Sequence, residues 1–231
     1  MKIGHFSDNH GHLDRLLFTS DIPDLWISSG DFFPDKPDLV FHPVTNKPMS
    51  SSEYQKYWFN NKNCPFPNSA GMSASDIIIK RLNGKPIICV DGNHDFACLA
   101  ECLIENGCPN VIHIDNKKGQ QSVEIGGLVF AGFREIPYIA GYFAGEASDN
   151  QLRQIVKETM DCEPDVLVTH CPPTSILDNG FGVFPLFHSL ATGEHKIKHH
   201  FFGHVHQRNG IKEQMDIIFY NSATIVRFVE I

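Results

Sequence analysis

The 231-residue sequence predicts an α/β fold, and three observations carry that prediction. Short apolar runs recur and end in polar breaks, segments with helix start and stop signals lie between them, and two segments read as hairpins. Lys2 to Phe6 leads into Ser7-Asp8-Asn9-His10-Gly11, and Asp24 to Ser28 into Ser29-Gly30-Asp31. Pro86 to Val90 leads into Asp91-Gly92-Asn93-His94-Asp95. Asp165 to Val168 leads into Thr169-His170-Cys171-Pro172-Pro173, and His199 to Phe202 into Gly203-His204-Val205-His206. Apolar runs of about 4–8 residues bounded by turn residues suit buried strands.

Helices are expected over Ser73–Asn83, Phe96–Asn106 and Ser148–Asp161. The last opens with Ser148 and Asp149 and repeats apolar residues at Leu152, Ile155, Val156 and Met160, the spacing of one helix face. Ser122–Ile125 and Leu128–Phe133 flank Gly126-Gly127 as a hairpin, and Asp216–Asn221 with Thr224–Glu230 read as another. A mixed sheet or a two-sheet sandwich follows. Residues 33–72 are rich in Pro, Asn, Ser and Lys, yet carry Tyr54, Tyr57, Trp58 and Phe59. This stretch reads as a surface insertion in a single domain spanning 1–231, with one short aromatic helix near Glu53–Phe59. A packed excursion unrelated to substrate is the competing reading.

Composition bounds the function. Hydrophobic residues make up 42% and charged residues 20%, enough to bury a core and too apolar for disorder. No apolar run approaches the roughly 18 residues of a membrane span, and the start of the chain is too short and polar for a secretion signal, so a cytoplasmic protein is expected. The formal charge of −8 argues against broad duplex-DNA binding. It leaves room for a small phosphate-bearing substrate, because a bound metal can supply positive charge. Seven cysteines with no C-x-x-C pair suit reduced thiols. The Cys98, Cys102 and Cys108 spacing matches none of the usual zinc patterns, so buried thiols on a helix and its exit turn are expected there.

Thirteen histidines are the unusual figure. Five breaks hold the metal-type residues: Asp8 and His10; Asp31; Asn93, His94 and Asp95; His170; His204 and His206. All follow strands directly, and in open α/β sheets the carboxyl ends of strands face one crevice. Asp and His with an Asn carbonyl suit manganese, iron, zinc or nickel. The period of two lets both ends of D-x-H point to one side. One Asp after Gly30 could bridge two ions with its two oxygens. A chance G-H-x-H is expected roughly 0.06 times in such a chain and a chance G-N-H-D about 0.005 times, so their co-occurrence in order is not accidental.

The set D-x-H, G-D, G-N-H-D, H and G-H-x-H resembles the calcineurin-like metallophosphoesterase superfamily from Asp8 to His206. The resemblance implies a four-layer α-β-β-α sandwich of two mixed sheets flanked by helices, with two divalent ions, manganese first and iron, zinc or nickel as alternatives. One ion would take Asp8, His10, Asp31 and His206, and the other Asp31, Asn93, His170 and His204. Hydroxide held by the metals would attack phosphorus, His94 would serve as proton donor or transition-state stabiliser, and Asp95 would orient His94. Thr169-His170-Cys171-Pro172-Pro173 and Tyr220-Asn221-Ser222-Ala223-Thr224 are similar to the small branch that includes class III cyclic-nucleotide phosphodiesterases, with Cys171 where that branch usually has Gly. The protein phosphatase block G-D-x-x-D-R-G is not matched, because Gly30-Asp31 continues Phe32-Phe33-Pro34-Asp35-Lys36. A phosphodiesterase acting on a small phosphoester or nucleotide is therefore favoured over a monoesterase. A nuclease and a non-catalytic binding module on the same fold are the alternatives. His12 and Arg134 are weaker candidates for substrate contact, and Phe32, Phe33 and Tyr138 for a pocket wall; His5, His42, His113, His188 and His195 have no ligand context. Oligomeric state is not legible.

Overall fold

The computed structural model describes residues 1–13, 16, 21–62, 72–115 and 120–231. In the first sheet β1 (Lys2–Phe6), β2 (Leu25–Ser28), β3 (Ile87–Cys89) and β4 (Val111–His113) run parallel, and β13 (Val226–Glu230) lies antiparallel beside β1. The second sheet has the order β11 (Gly210–Gln214), β12 (Ile217–Asn221), β10 (His199–Phe202), β9 (Val166–Thr169), β6 (Leu128–Phe133), β5 (Ser122–Ile125). Its four inner strands are parallel and its two edges antiparallel. A short parallel ladder joins β7 (Ile136–Pro137) to β8 (Glu146–Ala147). The α-helices whose full extent lies among the described residues are α1 (Ser51–Asn60), α2 (Ala74–Leu82), α3 (Leu99–Glu105), α4 (Asp149–Met160) and α5 (Phe184–Thr192).

Side-chain parity along the strands builds the layers. Successive residues of a strand point to opposite faces. In the first sheet Phe6, Trp26, Ile87 and Cys89 face one way and pack with Trp58, Phe59, Ile77, Ile78 and Leu103 of α1–α3. Their neighbours Ile3, Ile27 and Ile88 face the other way and meet Val166, Val168, Phe201 and Tyr220 of the second sheet. In that sheet Leu167, Phe202 and Phe219 turn outward onto Leu152, Val156, Leu186 and Leu190 of α4 and α5. Three apolar interfaces separate helices, sheet, sheet and helices, which is the expected four-layer sandwich. No helix among the described residues is long and apolar enough to cross a membrane.

The predicted strands and helices form, with differences that have physical causes. Three helices begin with a complete capping box, Ser50 with Glu53, Ser73 with Asp76 and Ser148 with Gln151, which satisfies their first backbone donors. The Phe96–Asn106 helix starts only at Leu99, because the Phe96 and Ala97 amides donate instead to the Gln55 side chain at 2.8 and 2.7 Å. The second expected hairpin does not exist. Its two strands, β12 and β13, belong to different sheets. The real hairpin is β11–β12, turning at Met215 and Asp216, both with positive φ of 55° and 56°. Two left-handed residues make the usual hairpin turn, and Asn-Gly, its ordinary sign, is absent here. The aromatic helix of the 33–72 stretch is α1, and Trp58 and Phe59 are buried in the core rather than spread on the surface. Residues 63–71 of that stretch lie outside the described residues. Cys98, Cys102 and Cys108 are buried on and after α3, as expected.

Replacing the cap of α4 tests this account of its start. Ser148→Ala should lower stability by about 1 kcal/mol, read as a lower midpoint with unchanged slope in urea unfolding. An unchanged midpoint would show that packing alone defines the start of α4.

Candidate metal centre

The carboxyl ends of β1, β2, β3, β9 and β10 meet at one end of the two packed sheets, and every residue singled out from the five breaks is in or directly beneath that gap. Glycines permit the approach. A Cβ at Gly203 would overlap Ser7 Oγ and Asp8 Oδ2 from the opposite sheet, and one at Gly92 would overlap Asp31. The donors sit on tight backbone: Asp8, His10, Asp31 and His204 all have positive φ, between 44° and 67°.

Among the described residues three donor groups meet at the cleft, each with its ligand atoms within 4.8 Å of one another: Asp8, His10 and His206; Asp31, His170 and His204; and, sharing His10 with the first, His10, Asp35 and His94. In the first, His206 Nε2 is 3.0 Å from Asp8 Oδ1 and 3.3 Å from His10 Nε2. In the second, Asn93 Oδ1 lies 2.8 Å from His170 Nε2 and 3.0 Å from His204 Nδ1. Asp31 Oδ2 stands between these first two groups, 3.3 Å from His170 Nε2 and 3.8 Å from His10 Nε2. Its other oxygen, Oδ1, accepts the His94 backbone N–H at 2.7 Å. One oxygen of Asp31, rather than both, therefore faces the two groups.

The donor chemistry fits a cation. His170 Nδ1 faces the Ser29 carbonyl at 2.8 Å and must donate there, so Nε2 of the neutral ring offers a lone pair. That lone pair meets Asn93 Oδ1 and Asp31 Oδ2, two acceptors. Either a proton or a metal ion has to occupy the space between them. Without a metal the proton takes it: burial opposes the charge, but Asp31 outweighs burial and raises His170 to about 9. Burial likewise opposes ionisation of Asp8 and Asp31, yet the hydrogen bond from His206 and the charge of His170 hold these carboxyls below their usual range. Burial, aided by His170, lowers His204 to about 4, so it presents a neutral ring.

His94 reaches a cleft of about 440 Å³ lined by His10, Asp31, Asp35, His94, His204, His206 and Gln207. Its Nδ1 is 2.6 Å from Asp35 Oδ1. Asp95, expected to orient His94, is engaged elsewhere. Its oxygens accept the backbone N–H groups of Gly92 at 2.9 Å and Phe33 at 3.1 Å, and it is buried beneath the loop. The D-x-x-D spacing of the phosphatase block gave no sign of Asp35, which stands four residues after Asp31. Gln55 of α1 also holds the loop, donating to His94 O at 2.7 Å and to Pro34 O at 3.3 Å. Arg134 donates to the Gly92 and Asp95 carbonyls, a loop clamp rather than a contact of the cleft. Phe32 and Phe33 are core residues, while Phe143 lies tilted against His94 and Phe181 edge-on to His204, with ring centroids 5.1 and 6.5 Å away. His12 is exposed and outside the cleft lining.

A family model described as calcineurin-like phosphoesterase matches residues 1–208. Among solved structures, that of TT1561 from Thermus thermophilus superposes with a TM-score of 0.57 at 15% identity, covering 95% of this chain and 88% of the other. A second solved structure gives 0.55 at 14% identity, with coverage of 95% and 89%. These likenesses concern the fold. No curated protein sequence matches the chain.

The raised His170 has a consequence for the metal-free protein. An imidazole with a folded value of about 9 and an unfolded one of about 6.5 contributes stability fully present below 6.5 and lost as pH rises through about 9. Outside the centre His113 is raised to about 10 by Asp91 against burial and acts in the same direction. In EDTA, the urea midpoint should fall from pH 7 to 9. Metal affinity should rise over the same interval, because the ion displaces that proton. A flat midpoint would count against the proton-filled centre.

Proposed function

The chain belongs to the calcineurin-like phosphoesterase family, and on that premise we propose that it is a dinuclear metal-dependent phosphodiesterase for small phosphoesters. The observation that carries the reading is Asp31 Oδ2, one buried carboxylate oxygen within reach of donors from both of the first two groups. Asp8, His10, Asp31 and His206 would hold one ion, and Asp31, Asn93, His170 and His204 the other. Mixed oxygen and imidazole donors tolerate manganese, iron, zinc and nickel alike, and manganese is the first ion to test. Divalent ions bound there supply positive charge to a phosphate and make water acidic enough to be a nucleophile near neutral pH.

The side chains do the rest. His94 stands at the cleft with Nδ1–H donating to Asp35, so the doubly protonated ring carries an Nε2–H that it can give to the departing oxygen. Asp35 thus takes the orienting part, and Asp95 fixes the loop beneath. No Lys or Arg is among the described residues that line the cleft. That favours a diester, with one phosphate charge, over a dianionic monoester. Phe143 and Phe181 flank the histidines and suit an aromatic substituent such as a nucleobase. We read residues 1–231 as one domain, and its free, mostly buried thiols as suited to the cytoplasm.

Hydrolysis of bis-(p-nitrophenyl) phosphate beside p-nitrophenyl phosphate, with added Mn²⁺, tests the proposal. Diester turnover should be faster. His94→Ala should lower kcat by about 10²–10⁴-fold with metal content unchanged, and Asp31→Asn should lose tight metal binding. Faster monoester turnover would make the protein a phosphatase. Cleavage of single-stranded DNA or RNA at low salt, without small-diester turnover, would make it a nuclease. Full metal content with no turnover of any of these would leave a binding module.

A further inference from the structure

The cysteine spacing gave no zinc pattern and His113 had no ligand context, yet the fold brings one of those cysteines to that histidine. Asp91 leaves β3, Cys98 sits at the start of α3, and His113 ends β4. Their ligand atoms lie within 4.8 Å of one another. We propose that Asp91, Cys98 and His113 form a zinc site separate from the dinuclear centre.

Two of the three edges match those of a tetrahedral ion, and the third, between Asp91 and Cys98, is within 4.8 Å. Bonds of about 2.0–2.1 Å to N and O and about 2.3 Å to S imply N···O edges of about 3.3 Å and N···S edges of about 3.6 Å. His113 Nε2 is 3.2 Å from Asp91 Oδ2 and 3.7 Å from Cys98 Sγ. Sγ is also 3.7 Å from Nδ1, so binding requires the ring to turn until its Nε2 lone pair points at the shared centre. Asp91 divides its oxygens: Oδ1 accepts the Leu99 N–H at 3.3 Å, and Oδ2 faces the site. Cys98 occupies the N-cap of α3, and the Glu101 N–H facing its sulfur opposes the effect of burial and favours the thiolate that a metal would take. Asp115 Oδ2, 3.9 Å from His113 Nε2, is near enough to supply a fourth ligand or to hold a water in that place.

Charge and access agree. Asp91, Asp115 and a Cys98 thiolate carry three negative charges, which Zn²⁺ and Arg134, 3.8 Å from Asp91 Oδ2, balance. A cavity of about 160 Å³ lined by Asp91, Cys98, Asp115 and Arg134, among others, opens onto the group. An ion there fastens the start of the Asp91–Asp95 loop to β4 and α3, and so steadies the backbone that presents Asn93 and His94. The rival arrangement is a metal-free ion pair of protonated His113 with Asp91 and Asp115, beside a neutral thiol.

Cobalt distinguishes them, because a thiolate ligand gives Co²⁺ a near-ultraviolet charge-transfer band that nitrogen and oxygen donors do not. The full chain titrated with Co²⁺ should develop this band. Asp31→Asn should keep it while losing metal from the dinuclear centre, so failure of that centre and failure of this site are read separately. Cys98→Ser and His113→Gln should each abolish it and lower bound Zn²⁺ by one equivalent, whereas Cys171→Ser, beside His170, should leave it unchanged. No band in the Co²⁺-saturated wild-type chain, or a band that survives Cys98→Ser, overturns the proposal.

Discussion

Two carboxylates, Asp8 and Asp31, are each about 2% exposed at the seam where the sheets meet, and the surrounding structure is organised by their charge. A buried anion without partners is costly by several kcal/mol. Asp8 accepts the His204 N–H at 2.8 Å and faces the His206 imidazole. Asp31 accepts the His94 N–H and faces His170. The partners come from three other strand ends, those of β3, β9 and β10. The charge is therefore met only when five loops are in place at once, which couples the site to the register of both sheets. The same anions that require these partners are the groups a divalent cation would seek.

Meeting that demand puts the backbone in unfavourable places. Asp8, His10, Asp31 and His204 are left-handed without being glycine, a strain of order 1–3 kcal/mol each. A strand end delivers its side chains alternately to the two faces, whereas these donors must all turn into one gap. The left-handed step after the strand does that turning. Packing on both sides of each sheet holds the strands, so the strain collects in the loops. Gly92 and Gly203 complete the arrangement by leaving room where backbone meets carboxylate.

The sequence carried the strand ends and the donor residues well, because both depend on local signals: apolar runs of strand length and rare residue types at fixed spacing. The four-layer order came from resemblance, and the parity of Ile3 against Phe6 or Leu167 against Val168 accounts for it physically. What escaped was non-local. Ser222-Ala223-Thr224 has the composition of a turn, yet it carries the chain from one sheet to the other, with Ala223 bridged to Ser7. Helix α5 has no side-chain cap and is apolar on several faces, so Pro185 in its first turn was its one start signal and no stripe marked it. Asp35 and His113 acquire their roles from partners 59 and 22 residues away respectively.

The stretch after β2 shows why site and scaffold cannot be separated in this molecule. Asp35 and α1 both belong to a region whose composition suggests a peripheral insertion. Yet Asp35 engages the His94 ring, and the buried Gln55 amide uses its nitrogen and oxygen on the backbone of His94, Phe96 and Ala97. A buried amide satisfied on both ends fixes what it touches, since loss of any bond leaves an unmet polar group. Trp58 and Phe59 anchor α1 in the core. The position of His94 is thus set from two directions, by the strand that precedes it and by a helix some forty residues earlier. Change in α1 would reach the reacting end of the cleft without altering a single metal-type donor.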